Sequence, residues 1–297
     1  MEVRVLLMAA GGGAAPLLLG RLLTHLGICG PRGAGFLAAA APLGAAAALR
    51  FALHGAWPGW PPHDAGEVSA WLVPALALGI LAGSVVGWAL PALAWSWFAT
   101  EPYRTVHWVG EAPTLRALGI ASGLVLAAAA CRRGLGLEGS IAERDGDASD
   151  DHQSSTAGHV LRDGLDLSVL GSALLGAAIL LGHSTGSGAL TIGGLGLALG
   201  AIALDGWLPG AGLAGPARFE VSVPVLVVLA GAAFVQGILY ASVPVGPAAV
   251  VAGSVGLLAI RPGRGPQRAL RSLLAVGLVA GAVTWGWPPP DPYAAGW

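Results

Sequence analysis

The side chains able to do chemistry in this sequence are a few ionisable residues set among long apolar runs. Burying such a group in a membrane is costly unless it is paired or hydrated, so each marks a candidate ion path. The candidates stand at or beside the ends of apolar runs: Glu111, Asp166, His183, Asp205 and Glu220. Gln236 falls in the middle of a run, whereas Arg50 is close enough to a run end to extend its guanidinium to the membrane surface.

A second candidate is the pentapeptide Gly-His-Ser-Thr-Gly at positions 182–186, which matches the G-x-S-x-G pattern of serine hydrolases. In those enzymes the serine lies on a strained turn between a strand and a helix. Here the motif joins two apolar runs, which favours a flexible turn outside the membrane. A membrane hydrolase that uses this turn remains the alternative, so the question of enzyme activity stays open and no catalytic residue is predicted.

No cofactor or metal is predicted from the other clusters. The tryptophans at 88, 95, 97 and 108 resemble a haem-presenting patch, but the acidic residue of that patch is Phe98 here. They are therefore expected to anchor span ends at the membrane interface. The acidic cluster at 145–151 lacks the ligand spacing and turn glycine of a calcium loop, which favours a disordered loop.

The elements that carry these residues are apolar enough to cross a membrane. Of 297 residues, 55% are hydrophobic and 10% charged, and the mean hydropathy is +0.72. A soluble domain has roughly 25% charged residues. The net charge of -1 gives no basic footprint for nucleic acid, so no nucleic-acid partner is expected. The composition predicts an all-α polytopic membrane protein whose surroundings are lipid.

The apolar runs predict about nine transmembrane helices, since about 20 residues of helix cross the hydrocarbon core. They fall at 5–19, 34–53, 68–98, 115–131, 165–181, 189–204, 221–240, 245–260 and 269–287. The run at 68–98 fits one tilted span or two short ones pivoting near Pro91. The first run is taken as a span, because Glu2, Pro16 and Arg21 disagree with a cleavable signal peptide.

Three regions follow from these runs. Residues 1–131 hold the N-terminal transmembrane helices, 132–164 form a disordered polar cytoplasmic loop, and 165–297 form a transmembrane core with a short tail. Arginines occur in the connection at 132–162, at Arg218 and at 261–271, with two helices between successive sites. All three connections are predicted to face the cytoplasm, and the expected location is the bacterial inner membrane.

One stretch resembles a known family. Trp207, Leu208 and Pro209, followed by the Gly-Pro at 215–216 and the Val-Ser at 221–222, are similar to the W-L-P-x-A…G-P…V-S segment of the antiporter-like membrane subunits. These subunits occur in respiratory complex I, in related hydrogenases and in multisubunit cation/proton antiporters. The segments at 162–171, 180–190 and 256–274 resemble other family motifs in the same order, so the likeness covers 162–287, about two-fifths of the chain.

The resemblance implies an antiporter-like bundle with a helix break near 205–220, at the cytoplasmic face. It also implies proton or cation transport, and partner subunits in a larger complex such as an NADH-quinone oxidoreductase. The chain departs from the family at the proton relay. The family's lysine falls near Ala198, its histidine near Leu226, and Glu111 is the one carboxylate within reach of its glutamate position.

Two hypotheses therefore stand beside each other. The first is a reduced antiporter-like subunit that contributes to proton or cation movement. The second is a structural subunit that keeps the helix packing of the family and conducts nothing. Small residues spaced four apart, at Gly194 with Ala198 and at Gly196 with Gly200, permit close helix contacts and suit either hypothesis.

Overall fold

The computed structural model describes residues 2–60, 62, 64–81, 86–107, 113–134, 152–207, 215–260 and 265–287. Within these ranges the chain forms ten α-helices, one short 3-10 turn and no strand. The helices are α1 (Glu2–His25), α2 (Pro31–His54), α3 (Ala65–Leu81), α4 (Val86–His107), α5 (Pro113–Gly134), α6 (His152–Gly182), α7 (Gly186–Trp207), α8 (Gly215–Tyr240), α9 (Val245–Gly256) and α10 (Gly265–Gly286). The 3-10 turn, Leu257–Ala259, follows α9 directly. The predicted all-α class is confirmed.

Seven of these helices are long and apolar enough to cross a membrane, where the sequence predicts about nine. The seven candidate spans are Glu2–His25, Phe36–His54, Thr114–Arg133, Gly164–Gly182, Gly186–Asp205, Ser222–Tyr240 and Pro266–Gly286. At about 1.5 Å per residue, the 12 residues of α9 fall well short of the hydrocarbon thickness. Helix α3, with 17 residues, is also short. The chain is an integral membrane protein by the length and composition of its helices.

Two predicted boundaries are wrong. The apolar run at 68–98 contains two helices, but they divide between Leu81 and Val86, and Pro91 lies inside α4. The predicted polar loop at 132–164 is too wide, since α5 continues to Gly134 and α6 already begins at His152. The loop bounds are misplaced because hydropathy marks where a helix enters lipid and not where its backbone hydrogen bonds begin.

The helix break predicted near 205–220 falls where two separate helices, α7 and α8, follow each other. Helix α7 ends at Trp207 and α8 begins at Gly215. Within the predicted interval, Asp205 still belongs to α7 and Glu220 already belongs to α8. Pro209 lies outside the described residues.

Helix α8 is the central element of the bundle. It packs against six helices, α2, α3, α4, α5, α6 and α7. All residues from Ser222 to Ala230 are buried, and most of them are apolar. Since lipid tails are as apolar as leucine, what holds such a helix in place is close van der Waals contact with its neighbours. The rest of the bundle is arranged around this helix.

The bundle has two distinct ends. At one end α1 and α7 finish side by side, joined by Arg21 and Asp205, and the start of α10 lies against α6 at Asp166. We call this the arginine end, because the last turn of α5 and the first turns of α8 and α10 also carry arginines there. At the other end α2 and α8 finish, α3 begins, and a short turn joins α6 to α7. The three arginine-bearing connections thus belong to one end.

Glycines permit a close backbone contact between α1 and α2. A Cβ atom on Gly12 would overlap the carbonyl oxygen of Gly44, and a Cβ on Gly44 would overlap that of Gly12. Of the small-residue pairs noted in α7, Gly194 packs against Ala9 and Leu49, where a Cβ would come within 2.9 Å of the Ala9 Cβ. The other pair, Gly196 and Gly200, has no neighbouring atom within 4 Å of a built Cβ. Only the first pair is a helix contact.

The α1–α2 contact predicts a position-specific cost for valine. Gly12→Val should destabilise the protein by about 1–3 kcal/mol, the usual cost of overpacking, because the two backbones would have to move apart. Gly11→Val is the matched control, since a Cβ there meets nothing within 4 Å and the helix position is adjacent. Thermal unfolding in detergent, followed by size-exclusion chromatography, measures both. Equal midpoints for the two variants would contradict the contact.

The two ends predict opposite labelling by a membrane-impermeant maleimide. In a background with Cys29→Ala and Cys131→Ala, Ser184→Cys and Ser242→Cys should react in intact cells, because both residues are exposed at the arginine-poor end. Gln267→Cys, exposed at the arginine end, should react only after permeabilisation. Reaction of Ser184→Cys and Gln267→Cys from the same side would refute the topology.

Candidate functional site

Asp166 lies in an ion cluster near the middle of α6, which runs from His152 to Gly182. Its carboxylate is almost fully buried and accepts hydrogen bonds from two arginines of α10. The Arg268 Nη1 atom donates to Oδ2 at 2.9 Å, and Arg271 donates to Oδ1 through Nη2. The two arginines are three residues apart, so they project from the same face of α10. One carboxylate thus holds two guanidinium groups.

The same cluster fixes the backbone around it. Arg271 Nη1 also donates to the carbonyl oxygen of Ile260 at 2.9 Å, which anchors the segment after the 3-10 turn. Ser272 Oγ donates to the carbonyl oxygen of Leu165 at 2.6 Å. Helices α6 and α10 and the end of the α9 segment are therefore tied at one point, and the arrangement is that of a structural clamp.

Asp205 forms a second clamp at the same end of the bundle. Arg21 of α1 donates through Nε to the carboxylate, and through Nη2 to the Asp205 carbonyl oxygen at 2.6 Å. That carbonyl belongs to the last turn of α7, where helix carbonyls lack intrahelical partners and a cation is favoured by the helix dipole. The Arg21 guanidinium therefore pairs with the Asp205 carboxylate and also donates to a backbone carbonyl in the last turn of α7.

Of the remaining candidates, His183 lies apart from these clusters. His183 is exposed on the turn after α6, and its ring lies edge-on to Trp287 with 4.3 Å between ring centroids. Trp207 is the last residue of α7 and Glu220 lies in α8, but nothing is described of their side chains. Glu111 and Pro209 lie outside the described residues. The Gly-His-Ser-Thr-Gly motif spans the end of α6 and the start of α7, so its serine lies on a turn between two helices.

At the opposite end the structure contains a cavity that the sequence did not indicate. Its volume is about 870 Å³, and it lies between α2, α3, α7 and α8. Its inner wall is apolar and is formed by Ala46, Leu49, Leu72, Leu195 and Leu229. Its rim is polar, with hydroxyl groups from the α6–α7 turn and the amide of Gln236 from α8. A cavity of this size is within the range of ligand pockets.

Arg50 is the functional candidate that sequence reasoning missed. It lines the cavity about one turn before α2 ends at His54. Its Nε atom is buried and has no hydrogen-bond partner in the part of the chain that the structure describes. A snorkelling arginine would have its guanidinium in water, whereas this one is half-buried beside a cavity. The available signal was an arginine within a predicted span.

Comparisons with protein-family models, with curated proteins and with solved structures give no match for this chain. The antiporter-like resemblance therefore rests on the motifs at 162–287 alone.

The Asp166 clamp predicts a large loss of stability on truncation. Asp166→Ala should cost about 3–5 kcal/mol, because it leaves the buried guanidinium of Arg271 without its carboxylate. Arg268→Ala should cost less, because that side chain is 20% exposed and Arg271 remains on Asp166. Thermal unfolding of the purified protein in detergent measures the order of the two effects.

Arg4→Ala is the control for that series. Arg4 is an exposed arginine at the other end of the bundle, and its removal should change the unfolding midpoint little. If Asp166→Ala unfolds at the same temperature as Arg4→Ala, the cluster does not hold α6 and α10 together.

Proposed function

We propose that the chain is an antiporter-like membrane subunit that acts with partner subunits and does not conduct protons or cations itself. Of the two hypotheses raised by the sequence, this is the structural one. The observation that carries it is the state of the two positions at which the family's relay residues would fall.

Those two relay positions are occupied by fully buried apolar residues. Ala198 is 0% exposed and packs against Gly13 of α1, where a built Cβ would lie 3.3 Å from the Ala198 Cβ. Leu226 is also 0% exposed and lies in the core formed by α8 and its neighbours. A relay needs titratable groups close enough for transfer through water. Neither position offers a titratable group.

The carboxylates that could replace them are engaged elsewhere. Asp166 and Asp205, two of the candidates for an ion path, both bind arginines at the arginine end. Between them and the cavity lies the apolar middle of α8, from Val223 to Ala230. This arrangement suits helix packing, because the buried residues between the two ends are mostly apolar. It favours a scaffold role over conduction.

Partner subunits and location belong to the same proposal. The motifs at 162–287 resemble subunits that function inside larger membrane complexes, which supports a partner of that kind. The concentration of arginines at one end supports insertion in a bacterial inner membrane with that end toward the cytoplasm. Purification from the native membrane in mild detergent should then yield a particle larger than the chain alone.

The proposal predicts no ion flux from the purified chain. Reconstituted into liposomes that contain a pH-sensitive dye, the protein should dissipate a proton or sodium gradient no faster than empty vesicles. Asp205→Ala should leave that rate unchanged, because the carboxylate is a clamp and not a relay group. An added protonophore should collapse the same gradient, which checks that the vesicles are sealed.

The opposite result is equally specific. A proton flux above that of empty vesicles that disappears in Asp205→Ala would refute the structural role and restore a transporter with Asp205 on its path. Size-exclusion profiles of both reconstituted proteins should match, so that a difference in flux reflects chemistry and not misfolding.

A further inference from the structure

We propose that the cavity between α2, α3, α7 and α8 binds a zwitterionic phospholipid, with its phosphate at Arg50 and a hydrocarbon chain against the apolar inner wall. The site is separate from the two clamps, and it does not depend on whether the chain conducts ions.

The inner wall accounts for the hydrocarbon chain. Leu49, Leu72, Leu195 and Leu229 come from four different helices and border the same space. Water in such a space would have few polar partners, so an apolar group is the favoured occupant. A small water-soluble ligand would leave this wall uncovered. An apolar wall beside a polar rim therefore indicates an amphiphile.

Arg50 accounts for the phosphate. A guanidinium within a membrane span is a strong candidate for a functional group unless a neighbouring acid neutralises it. In the described residues no hydrogen bond or ion pair is made by Arg50, and its Nε atom is buried. Arginine binds phosphate through two parallel N–H donors, a geometry that a lipid phosphate can complete.

The start of α7 adds a second set of donors for the same group. Ser184, Thr185 and Ser187 line the cavity, and α7 begins at Gly186. The first N–H groups of a helix lack intrahelical acceptors, and together with the helix dipole they attract anions. Thr185 Oγ1 lies 3.0 Å from Ser187 Oγ, so two hydroxyls meet at this point of the rim. Arg50 and this helix start line one cavity from two sides.

The acidic part of the rim accounts for the ammonium group. Asp64 and Glu67 line the cavity near the start of α3. The Asp64 Oδ1 atom accepts a hydrogen bond from the Glu67 backbone N–H at 2.8 Å, which fixes this carboxylate at the rim. A purely anionic headgroup would meet both acids as well as Arg50. A headgroup that carries a phosphate and an ammonium matches a rim of both signs.

Native mass spectrometry of the full-length protein, released from detergent, tests the site. The probes are phosphatidylethanolamine and phosphatidylglycerol with identical acyl chains, and the water-soluble headgroup glycerophosphoethanolamine. We expect one phosphatidylethanolamine per chain, bound more tightly than phosphatidylglycerol, and no detectable binding of the headgroup alone. Arg50→Ala should weaken phosphatidylethanolamine binding about tenfold, and Arg50→Lys should weaken it less.

Two matched pairs of variants distinguish lipid bound in the cavity from lipid bound elsewhere on the protein surface. Ala233→Phe fills the cavity from α8 and should abolish binding, whereas Ala249→Phe, on an exposed position of α9, should leave it unchanged. Arg4→Ala removes an exposed arginine elsewhere and should also leave binding unchanged. Size-exclusion chromatography shows whether each variant is monodisperse and therefore folded. If Arg50→Ala is misfolded, Arg50→Lys takes its place in the comparison.

Three results would overturn the proposal. Equal binding of phosphatidylethanolamine by the wild type and by Arg50→Ala would show that the guanidinium does not bind the phosphate. Tighter binding of phosphatidylglycerol would show that the site selects a bare anion and that the acids of the rim are not used. Binding of glycerophosphoethanolamine as tight as that of the lipid would show that the apolar wall contributes nothing.

Discussion

The lack of water in the membrane is the constraint on which this fold depends. Backbone N–H and C=O groups in lipid must form their hydrogen bonds within the chain, so the described residues form helices. Helix formation alone does not determine which helices pack against each other. Contact geometry has to supply that information, because lipid tails offer no hydrophobic penalty for separating two apolar helices. Two examples are the close contact between Gly12 and Gly44 and the contacts of α8 with six other helices.

Ion pairs also determine which helices lie side by side, and they differ between the two ends of the bundle. Asp166 and Asp205 bind arginines of distant helices at one end of the bundle, and these bonds select one neighbour for each helix because other neighbours would leave a buried charge unpaired. At the other end Arg50 is half-buried beside a cavity, and its buried Nε atom has no hydrogen-bond partner among the described residues. Ion pairs thus join the helices at one end, whereas the other end has Arg50 beside a cavity.

The sequence predicted the helical class, because apolar runs are local signals, and it also drew attention to Asp166 and Asp205 as rare charges beside those runs. It could not predict the partners of these acids, since Arg271 lies 105 residues from Asp166 and Arg21 lies 184 residues from Asp205. Arg50 was missed for a related reason. Whether an arginine near a span end reaches water depends on the neighbouring helices, and these come from other parts of the chain. The division of the 68–98 run also depends on packing, because α3 and α4 pack against each other as separate helices.

The distance in sequence between Arg21 and Asp205 has a consequence for biosynthesis. Helix α1 leaves the ribosome before α7, and the acid that binds its arginine follows 184 residues later. At about 5–20 residues per second, on the order of 10 s or more passes before the pair can form. During that time the guanidinium must remain at the membrane surface, and α1 has its contact with α2 but not with α7. A chain arrested before α7 would therefore present an unpaired arginine to the machinery that removes incomplete membrane proteins.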